Sequence, residues 1–337
     1  MLYTGDMAKE FRDYDQGRVP SHRLVGVAGL RRLGFDVRIC RWGWVPPRFR
    51  GRQVWKLWQA AWCLVTQRTF DCVVTSTEAS ALPVLALRHL RLLRRPVVVI
   101  SVAALGPKFE GSGTATIRRL LLRGADMVTV YASSQVPLMQ SRIGLDKKRL
   151  RFLPMGVDND FFTERQSQIR WDVVSVGTNE GKDYPTLLGA LSSGQSCLIV
   201  TDGINESVIR SIPTYGDVTI RKDVPIDELR DIYASGGRCV IPLRDIDYSS
   251  GQTVLLENLA MGRPVVVTDT ASVRDYVSAA VATLVPVGDP AALRSAISGN
   301  PPLIVPAAAA HTRRQFDATV FAEGLAALCR IAVGSPA

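Results

Sequence analysis

The stretch GRCVIPLRDIDYSSGQTVLLENLAMGRPVVVTD, residues 237–269, decides the fold. It begins with an apolar run at 237–241, continues through a polar loop into a helical segment, and ends in a second apolar run at 264–268. Neither run alternates polar and apolar residues, which is the pattern of strands buried on both faces of a parallel sheet. The stretch therefore predicts one strand–helix–strand unit of an α/β fold.

The same alternation of short apolar runs and helical segments extends in both directions from this unit. It pauses at the turn-rich junction 155–159 and restarts at Trp171. Because 337 residues are too many for one ordinary core and comfortable for two, we expect two doubly wound α/β domains, 1–158 and 159–310. A helix is predicted at 21–33, and further strands at 1–4, 36–40, 71–75, 96–101, 126–130, 151–154, 171–176, 196–200, 217–220 and 282–285.

The composition describes a globular chain without a metal or disulfide framework. Hydrophobic residues make up 47% and charged residues 21% of the chain. Six cysteines and three histidines are scattered without paired spacing, so neither a metal site nor a prosthetic group is predicted. The chain shows no apolar run long enough to span a membrane and no signal-peptide pattern at its start, which predicts a cytoplasmic protein.

The net charge of +10 arises from 41 Lys and Arg against 31 Asp and Glu. Such an excess favours phosphates, nucleic acid or an anionic membrane surface as partners, and a general arginine-rich composition is the alternative explanation. No basic helix with interleaved base-stacking aromatics is present in the sequence, so nucleic acid is not predicted as a partner.

The loop and helix start inside the opening stretch predict an anion site. Ligands of open parallel sheets collect beyond the carboxyl ends of the strands, where helix N-termini favour negative charge. Gly251 would let a diphosphate approach the backbone, and the hydroxyls of Ser249, Ser250 and Thr253 offer caps and further donors. Glu257 falls about two turns into the helix, where its carboxylate could accept both hydroxyls of a ribose. A plain N-capped helix with a solvated glutamate is the alternative.

Three segments together resemble the nucleotide-sugar domain of GT-B glycosyltransferases, specifically the retaining family 4-like group. They are LDKKRLRFLPMGVDNDFF at 145–162, VVSVGTNEGKDYPTLLGAL at 173–191, and SSGQTVLLENLAMGRPVVVTDTASVRDYV at 249–277. The resemblance covers most of residues 120–325. It implies two Rossmann-like domains facing across a cleft, with the acceptor bound by the first and the donor by the second. It also implies a C-terminal helix within 311–337 that returns toward the first domain.

The resemblance assigns roles to the loop between 249 and 257. In this group the second glutamate of a Glu-x7-Glu signature binds the ribose, and Glu257 occupies that position, while the preceding loop holds the diphosphate. Ser249 stands where the first glutamate is usual, and Asp245 or Asp247 could replace it only if the loop turns one of them inward. The resemblance thus implies a donor-binding set of Ser249, Ser250, Gly251, Gln252, Thr253 and Glu257.

In this group an arginine and a lysine neutralise the diphosphate. Thr178 and Lys182 stand at these positions here, so one of the two cations is missing. Arg244 is the candidate for the missing cation. Lys182 and Arg244 are therefore the predicted catalytic residues, and the alternative for Lys182 is a solvated turn lysine.

The first domain identifies no catalytic base. The glycine pair usual after the first strand is replaced by Gly5 and Asp6, and the histidine usual after the strand near residue 100 is absent. A retaining front-face transfer needs no base, because the leaving phosphate can take the acceptor proton. Asp6, His22 and Arg23 are the candidates for the acceptor side, with a structural role at a helix start as the alternative for His22.

Five of the six tryptophans lie between residues 42 and 62. Trp55, Trp58 and Trp62 share a helical face after a basic lead-in, which is typical of a helix at a membrane interface and would suit a lipid-linked acceptor. Packing of this helix on the sheet is the alternative.

Taken together, the residues and the resemblance predict a glycosyltransferase that moves a sugar from a UDP- or GDP-sugar to an acceptor hydroxyl, with retention and without a metal. The expected partners are the nucleotide-sugar donor and an unidentified acceptor, with a peripheral position on the inner face of the membrane. The alternatives are a catalytically silent GT-B-fold binding protein and a GT-B epimerase or phosphorylase.

Overall fold

The computed structural model describes residues 1–4, 7–40, 52–111, 113–165, 167–299, 302 and 304–334, and it confirms an α/β fold with two parallel sheets. The strands within these residues are β1 Val73–Thr75, β2 Val97–Ile100, β3 Met127–Val130, β4 Leu150–Phe152, β5 Trp171–Val176, β6 Ser196–Val200, β7 Asp217–Arg221, β8 Gly236–Ile241, β9 Val265–Thr268 and β10 Thr283–Val285. The helices are α1 Ala8–Asp15, α2 Val27–Arg32, α3 Arg52–Thr66, α4 Glu78–His89, α5 Pro107–Glu110, α6 Ala115–Leu122, α7 Gln135–Leu138, α8 Tyr184–Ala190, α9 Gly203–Arg210, α10 Ile226–Ser235, α11 Gln252–Ala260, α12 Pro290–Ile297, α13 Pro306–Gln315 and α14 Ala318–Val333.

The first sheet has the order β1-β2-β3-β4, and all of its neighbouring strands run parallel. Val97 and Val99 of β2 point to one face, where they pack in a core with α3, α4 and α6. Val98 and Ile100 point to the other face, which α2 and α14 cover. The central strands are therefore buried on both sides, which explains their uninterrupted apolar sequence.

The second sheet has the order β10-β9-β8-β5-β6-β7, again parallel throughout. The chain first adds strands on one side of β5 and then returns to add β8 on its other side. The order reverses between β5 and β8, which is the position where doubly wound sheets bind their ligands.

The N-terminal region departs from the prediction. Residues 36–40 form no strand, and residues 1–4 contribute only one parallel bridge, between Leu2 and Thr75. The helix predicted at 21–33 is interrupted after a short 3₁₀ turn, because Val25 and Gly26 have φ of 51° and 83°. A Cβ at Gly26 would lie 3.1 Å from the ring of Phe321, so the close approach of α14 accompanies this break.

Two segments of the chain cross between the sheets side by side. The first crossing joins β4 to β5 and includes the predicted boundary at residue 158, and the second joins α13 to α14. The amide of Val157 donates to the carbonyl of Phe316 at 2.7 Å, and the amide of Ala318 donates to the carbonyl of Val157 at 2.8 Å. Helix α13 packs on α11, whereas α14 packs on the first sheet, so the C-terminal region is two helices rather than one.

The tryptophan face of α3 points inward. Trp55 is 1% exposed, and its indole Nε1 donates to the carbonyl of Tyr3 at 3.0 Å. Trp58 and Trp62 pack against the core of the first domain. The prediction that this face lies at a membrane interface was wrong. Among the residues that the structure describes, no helix is long and apolar enough to cross a membrane.

Candidate functional site

The carboxyl ends of β5 and β8 meet where the strand order reverses, and the start of α11 lies at this point. Gly251 has φ 88°, and a Cβ there would lie 3.0 Å from the side chains of Ile241 and Leu243. Both the backbone conformation and the packing therefore require glycine. Gly251 at the N-cap has no side chain, and no other described residue caps α11, so its first-turn amides and the positive end of its dipole stay available to an anion.

The serine hydroxyls predicted as caps contact other groups. Ser250 Oγ donates to Asn179 Oδ1 at 2.9 Å, which braces the loop after β5. Ser249 Oγ donates to Gln135 Oε1 at 3.1 Å, so Ser249 contacts the first domain. The capping prediction was wrong because the loop 242–251 turns these side chains away from the helix amides.

Gln252 and Thr253 are also directed away from the start of α11. The amide Nε2 of Gln252 donates to the carbonyl of Ser272 at 3.0 Å within the second domain. Thr253 Oγ1 lies 4.0 Å from the sulfur of Met155 in the first crossing segment. The side chains of the other predicted loop residues thus have partners elsewhere. The backbone amides at and after Gly251 are the groups that a diphosphate could contact.

Lys182 lies beside this helix start. Its backbone pairs with Leu243 after β8, and a Cβ on Gly177 would lie 1.9 Å from its Cε atom, so the lysine stem occupies the space above Gly177. The side chain is 3% exposed, and its Nζ atom has no hydrogen-bond partner among the described residues. The alternative of a solvated turn lysine is therefore wrong.

Burial lowers the pKa of Lys182 to about 8. A thiolate at Cys239 would raise that pKa, but burial raises the pKa of this thiol to about 12, so the thiol stays protonated and supplies no negative charge. Lys182 is thus a buried amine without a counter-ion, at the switch point of the sheet. A phosphate bound here would provide the missing partner.

Glu257 is 3% exposed on α11, and both of its carboxylate oxygens have neighbours. The hydroxyl of Tyr233 donates to Oε2 at 2.7 Å, and Nε2 of His22 lies 3.4 Å from Oε1. The structure therefore brings together Glu257, predicted for the donor, and His22, predicted for the acceptor side. The alternative of a solvated glutamate is wrong.

His22 reaches Glu257 from the first domain. The amide of Asp158 donates to Nδ1 of His22 at 3.0 Å, so the proton of a neutral imidazole resides on Nε2, facing Glu257. Asp158 in turn accepts from the amide of Ser21 at 2.7 Å, and the His22 ring lies 5.8 Å from the ring of Phe162. These contacts fix the histidine across the domain boundary.

Tyr233, at the end of α10, is the residue of this cluster that sequence reasoning missed. Burial, followed by the charge of Glu257, raises its pKa well above the ordinary value, so it remains a hydrogen-bond donor. The available signal was a tyrosine three residues before a buried strand, since a buried phenol needs a partner for its hydroxyl.

The remaining predicted residues lie outside this buried cluster. Arg244 and Arg23 have exposed side chains, and Asp6 lies outside the described residues. Asp245 is exposed, and Asp247 pairs with Arg142 at 2.7 Å. Neither aspartate turns inward, so neither replaces the carboxylate absent at position 249.

Further polar contacts join the two domains beside the site. Ser133, which follows β3, donates from its amide and its hydroxyl to Asp275 at 2.7 and 2.6 Å. The hydroxyl of Tyr276 donates to the carbonyl of Tyr131 at 2.5 Å. Together with the bond between Ser249 and Gln135, these contacts hold the strand ends of the two sheets against each other.

A cavity of about 620 Å³ opens on the other side of His22, between the two crossing segments. Its lining includes Tyr14, Asp158, Asp317 and Phe321. His22 is the single predicted site residue among its lining residues. The cavity therefore adjoins the cluster without including Lys182 or Glu257.

Comparison with protein families shows one match, to the model described as glycosyl transferases group 1, over residues 182–299. The matched segment begins at Lys182 and contains the whole loop and helix with Gly251 and Glu257. No curated protein sequence matches the chain.

Several solved structures share the fold at low sequence identity. Sucrose-phosphate synthase from Thermosynechococcus elongatus is 15% identical, with a TM-score of 0.62 over 83% of this chain and 77% of that one. Anabaena HepE in complex with UDP-glucose is 17% identical, with a TM-score of 0.62 over 79% and 80%. The UDP-forming α,α-trehalose-phosphate synthase from Burkholderia xenovorans, in complex with glucose-6-phosphate, is 10% identical, with a TM-score of 0.62 over 81% and 76%.

The chain therefore shares the GT-B fold of these structures, and its residues 182–299 match the family model described as glycosyl transferases group 1.

Proposed function

We propose that this protein transfers a sugar from a UDP- or GDP-sugar to an acceptor hydroxyl, with retention and without a metal. The second domain binds the donor, and the first domain binds the acceptor. The family match over residues 182–299 supports the reaction class.

The observation that carries the proposal is the state of Lys182. A buried amine without a hydrogen-bond partner is costly. The backbone of Lys182 pairs with Leu243 and its neighbour Gly181 packs against Ser250, so the residue lies close to the uncapped start of α11, where the strand order reverses. These two features together form a cradle for a diphosphate. The HepE structures with UDP-glucose and with UDP make UDP-sugars the first donors to test.

The chemistry follows from this cradle. As the bond between the anomeric carbon and the diphosphate oxygen breaks, negative charge grows on the leaving group, and Lys182 and the α11 amides stabilise that charge. The leaving phosphate oxygen then takes the proton of the acceptor hydroxyl on the same face of the sugar, which retains the configuration. Arg244 at the exposed rim of the loop adds positive charge. Because Lys182, Arg244 and the α11 amides together can neutralise the diphosphate, we propose transfer without a metal.

Ribose binding at Glu257 requires an exchange of partners. Tyr233 and His22 flank its two oxygens, so ribose hydroxyls must displace at least one of them. Tyr233 belongs to the same domain as Glu257, whereas His22 belongs to the other. We therefore propose that donor binding separates His22 from Glu257 and is coupled to a relative movement of the domains.

The first domain binds the acceptor in this proposal. We propose an acceptor hydroxyl carried on a lipid, with the enzyme peripheral on the cytoplasmic face of the membrane. Asp6, His22 and Arg23 stay candidates for the acceptor side.

The test is a panel of UDP- and GDP-sugars, measured by thermal stabilisation and by release of the nucleoside diphosphate. Wild-type protein should be stabilised by at least one donor and should hydrolyse it slowly. Lys182→Ala should lose most of the hydrolysis, while Lys147→Ala, at an exposed lysine, should behave as wild type. Absence of stabilisation by every nucleotide would count against donor binding.

One observation favours a second candidate, a catalytically silent binding protein. Ser249 replaces a carboxylate that the related enzymes commonly place near the donor sugar, and its hydroxyl is engaged with Gln135. A silent protein would be stabilised by a nucleotide-sugar without hydrolysing or transferring it. An epimerase would instead convert the donor sugar with no acceptor present, which analysis of the recovered nucleotide-sugar detects.

A further inference from the structure

The positive charge of this protein is concentrated in three segments of the first domain. Residues 52–70, 79–95 and 113–125 hold ten of the 41 Lys and Arg and none of the 31 Asp and Glu. The rest of the chain is therefore balanced, with 31 basic and 31 acidic residues. A general arginine-rich composition would not produce this distribution.

The three segments form one layer in the structure. They contain α3, α4 with the loop that follows it, and α6, and α4 lies between the other two helices. The inner side of the layer packs on one face of the first sheet. We call the outer side of α3, α6 and the loop 90–95 the basic layer.

The basic layer also exposes an apolar stripe along α3. Leu57 and Val65 are 64% and 83% exposed, and Val54 and Ala61 are exposed on the same side of the helix. This stripe lies on a different side of the helix from the buried Trp55. Helix α3 already buries one face. A second row of apolar side chains on its exposed side is unusual for a surface that contacts only water.

Large apolar side chains are exposed on the other two parts of the layer as well. Gln67 holds the loop after α4 by accepting from the amide of Arg94 at 3.0 Å and donating to the carbonyl of Leu92 at 3.1 Å. In total, seven of the fifteen exposed large hydrophobic residues in the described part of the chain belong to the layer, and the four beyond α3 are Leu90, Leu92, Ile117 and Leu120.

Arginines accompany the exposed leucines after α4, where Arg91 lies between Leu90 and Leu92 in the sequence. At the end of α4, a surface depression of about 870 Å³ is lined by Arg88, Arg91, Arg94 and Arg149. Arg88 is paired with Asp126, whereas Arg91 and Arg94 have exposed side chains. The depression therefore has guanidinium groups available for an anion.

We infer that the basic layer docks on the surface of an anionic lipid bilayer. The exposed leucines and valines insert among the acyl chains just below the headgroups, while the arginines pair with lipid phosphates. A nucleic acid would use the charge but leave the apolar stripe exposed to water. The inference rests on the proposed function in one respect, since it names the surface for the membrane position proposed above. Flotation and donor hydrolysis are separate measurements, so failure of this inference leaves the proposed sugar transfer standing.

The experiment is flotation of the full chain with vesicles. Wild-type protein should float with vesicles of phosphatidylglycerol and phosphatidylcholine and remain below vesicles of phosphatidylcholine alone. Leu57→Gln with Val65→Gln removes apolar contact without a change of charge, and Arg91→Gln with Arg94→Gln removes charge. Each pair should weaken partitioning by about tenfold or more.

The matched control is Ile204→Gln with Tyr215→Gln, since these residues are 78% and 80% exposed on the second domain. This pair should float as wild type, and thermal melting of all variants checks that they are folded. Failure of the wild type to float with anionic vesicles overturns the inference. Flotation that is unchanged by Leu57→Gln with Val65→Gln also overturns it. In that case, a change in the electrophoretic mobility of a duplex DNA probe identifies a surface that binds by charge alone.

Discussion

Each domain buries one ionisable side chain at the carboxyl end of its sheet, and the two side chains differ in whether they have hydrogen-bond partners. In the second domain, Lys182 has no hydrogen-bond partner among the described residues. In the first domain, Glu78 is 6% exposed, and its two oxygens accept from the amides of Val102 and Ala103 at 2.9 and 3.0 Å. One buried charge is thus satisfied by its own domain, and the other lacks a partner.

This difference gives Glu78 a structural role and fits the ligand-binding role proposed for Lys182. Burial raises the pKa of Glu78, and the amide hydrogen bonds oppose that rise. The carboxylate holds residues 102 and 103, which follow β2 at the place where related enzymes often have a histidine. An unpaired buried amine contributes nothing comparable to the fold, which supports the ligand-binding role proposed above for Lys182.

The largest effect should come from Lys182→Met. The pKa of Lys182 is lowered from 10.5 to about 8, so its charge costs stability fully below pH 8, and the cost disappears as the pH rises toward 10.5. At neutral pH the variant should therefore gain up to about 3 kcal/mol in the free energy of unfolding while losing about 100-fold in donor turnover. Denaturant titration and donor hydrolysis measure the two changes, and a variant that is less stable and fully active would reverse the comparison.

Glu78→Ala should show the opposite balance. It leaves two buried amides without acceptors, which costs about 2 kcal/mol of unfolding free energy. Donor affinity should be unchanged, because Glu78 lies in the first domain. Denaturant titration and nucleotide binding test this, and weaker donor binding with unaltered stability would contradict a structural role.

Glu257→Ala should weaken binding of the donor by about 1 to 3 kcal/mol, the usual effect of losing a charged hydrogen-bond partner. Calorimetric titration with the nucleoside diphosphate measures the change. Tyr233→Phe is the control, because it keeps the carboxylate and removes only its neighbour. Equal affinity of Glu257→Ala and wild type would refute the ribose assignment.

The pH dependence of the reaction should report the state of Lys182. The amine is charged below its pKa of about 8 and neutral above it, so kcat/KM for the donor should fall by up to about tenfold per pH unit above pH 8. The residual activity of Lys182→Met should show no fall in the same range. A wild-type profile that stays level to pH 10 would mean that another cation holds the diphosphate.

The smallest effect is expected from His22→Ala. Removal of the imidazole, whose Nε2 lies 3.4 Å from Oε1, frees one oxygen of Glu257 for the ribose, so donor affinity should rise by about two- to fivefold. Arg23→Ala, at the neighbouring exposed residue, serves as the control. A decrease in donor affinity would show that His22 supports the site instead of competing for it.

The second domain was more predictable than the first for a physical reason. Its strands at 171–176 and 196–200 coincide with the predicted apolar runs, since a strand buried on both faces must be apolar throughout. Residues 36–40 have a similar composition but form no strand, and the break at Gly26 depends on the close approach of Phe321. Those outcomes depend on long-range packing, which local pattern does not contain.

The same limit applies to the candidate site. The spacing of glycines and polar residues predicted a helix start at Gly251 and a ligand carboxylate at Glu257, and the resemblance implied the role of Lys182. It did not predict that Ser249 bonds to Gln135 or that His22 faces Glu257, because both contacts join residues of different domains. Side-chain partners across a domain boundary follow from the tertiary arrangement alone.

Local sequence was enough to establish the α/β class, the two sheets and the helix start at Gly251, because strand burial and glycine conformation are properties of short segments. Tertiary structure decided which face of α3 meets solvent. Trp55, Trp58 and Trp62 form one apolar face, and Val54, Leu57 and Val65 form another. Periodicity identifies both faces, and the larger tryptophans pack inward because burying their broad rings removes more apolar area from water.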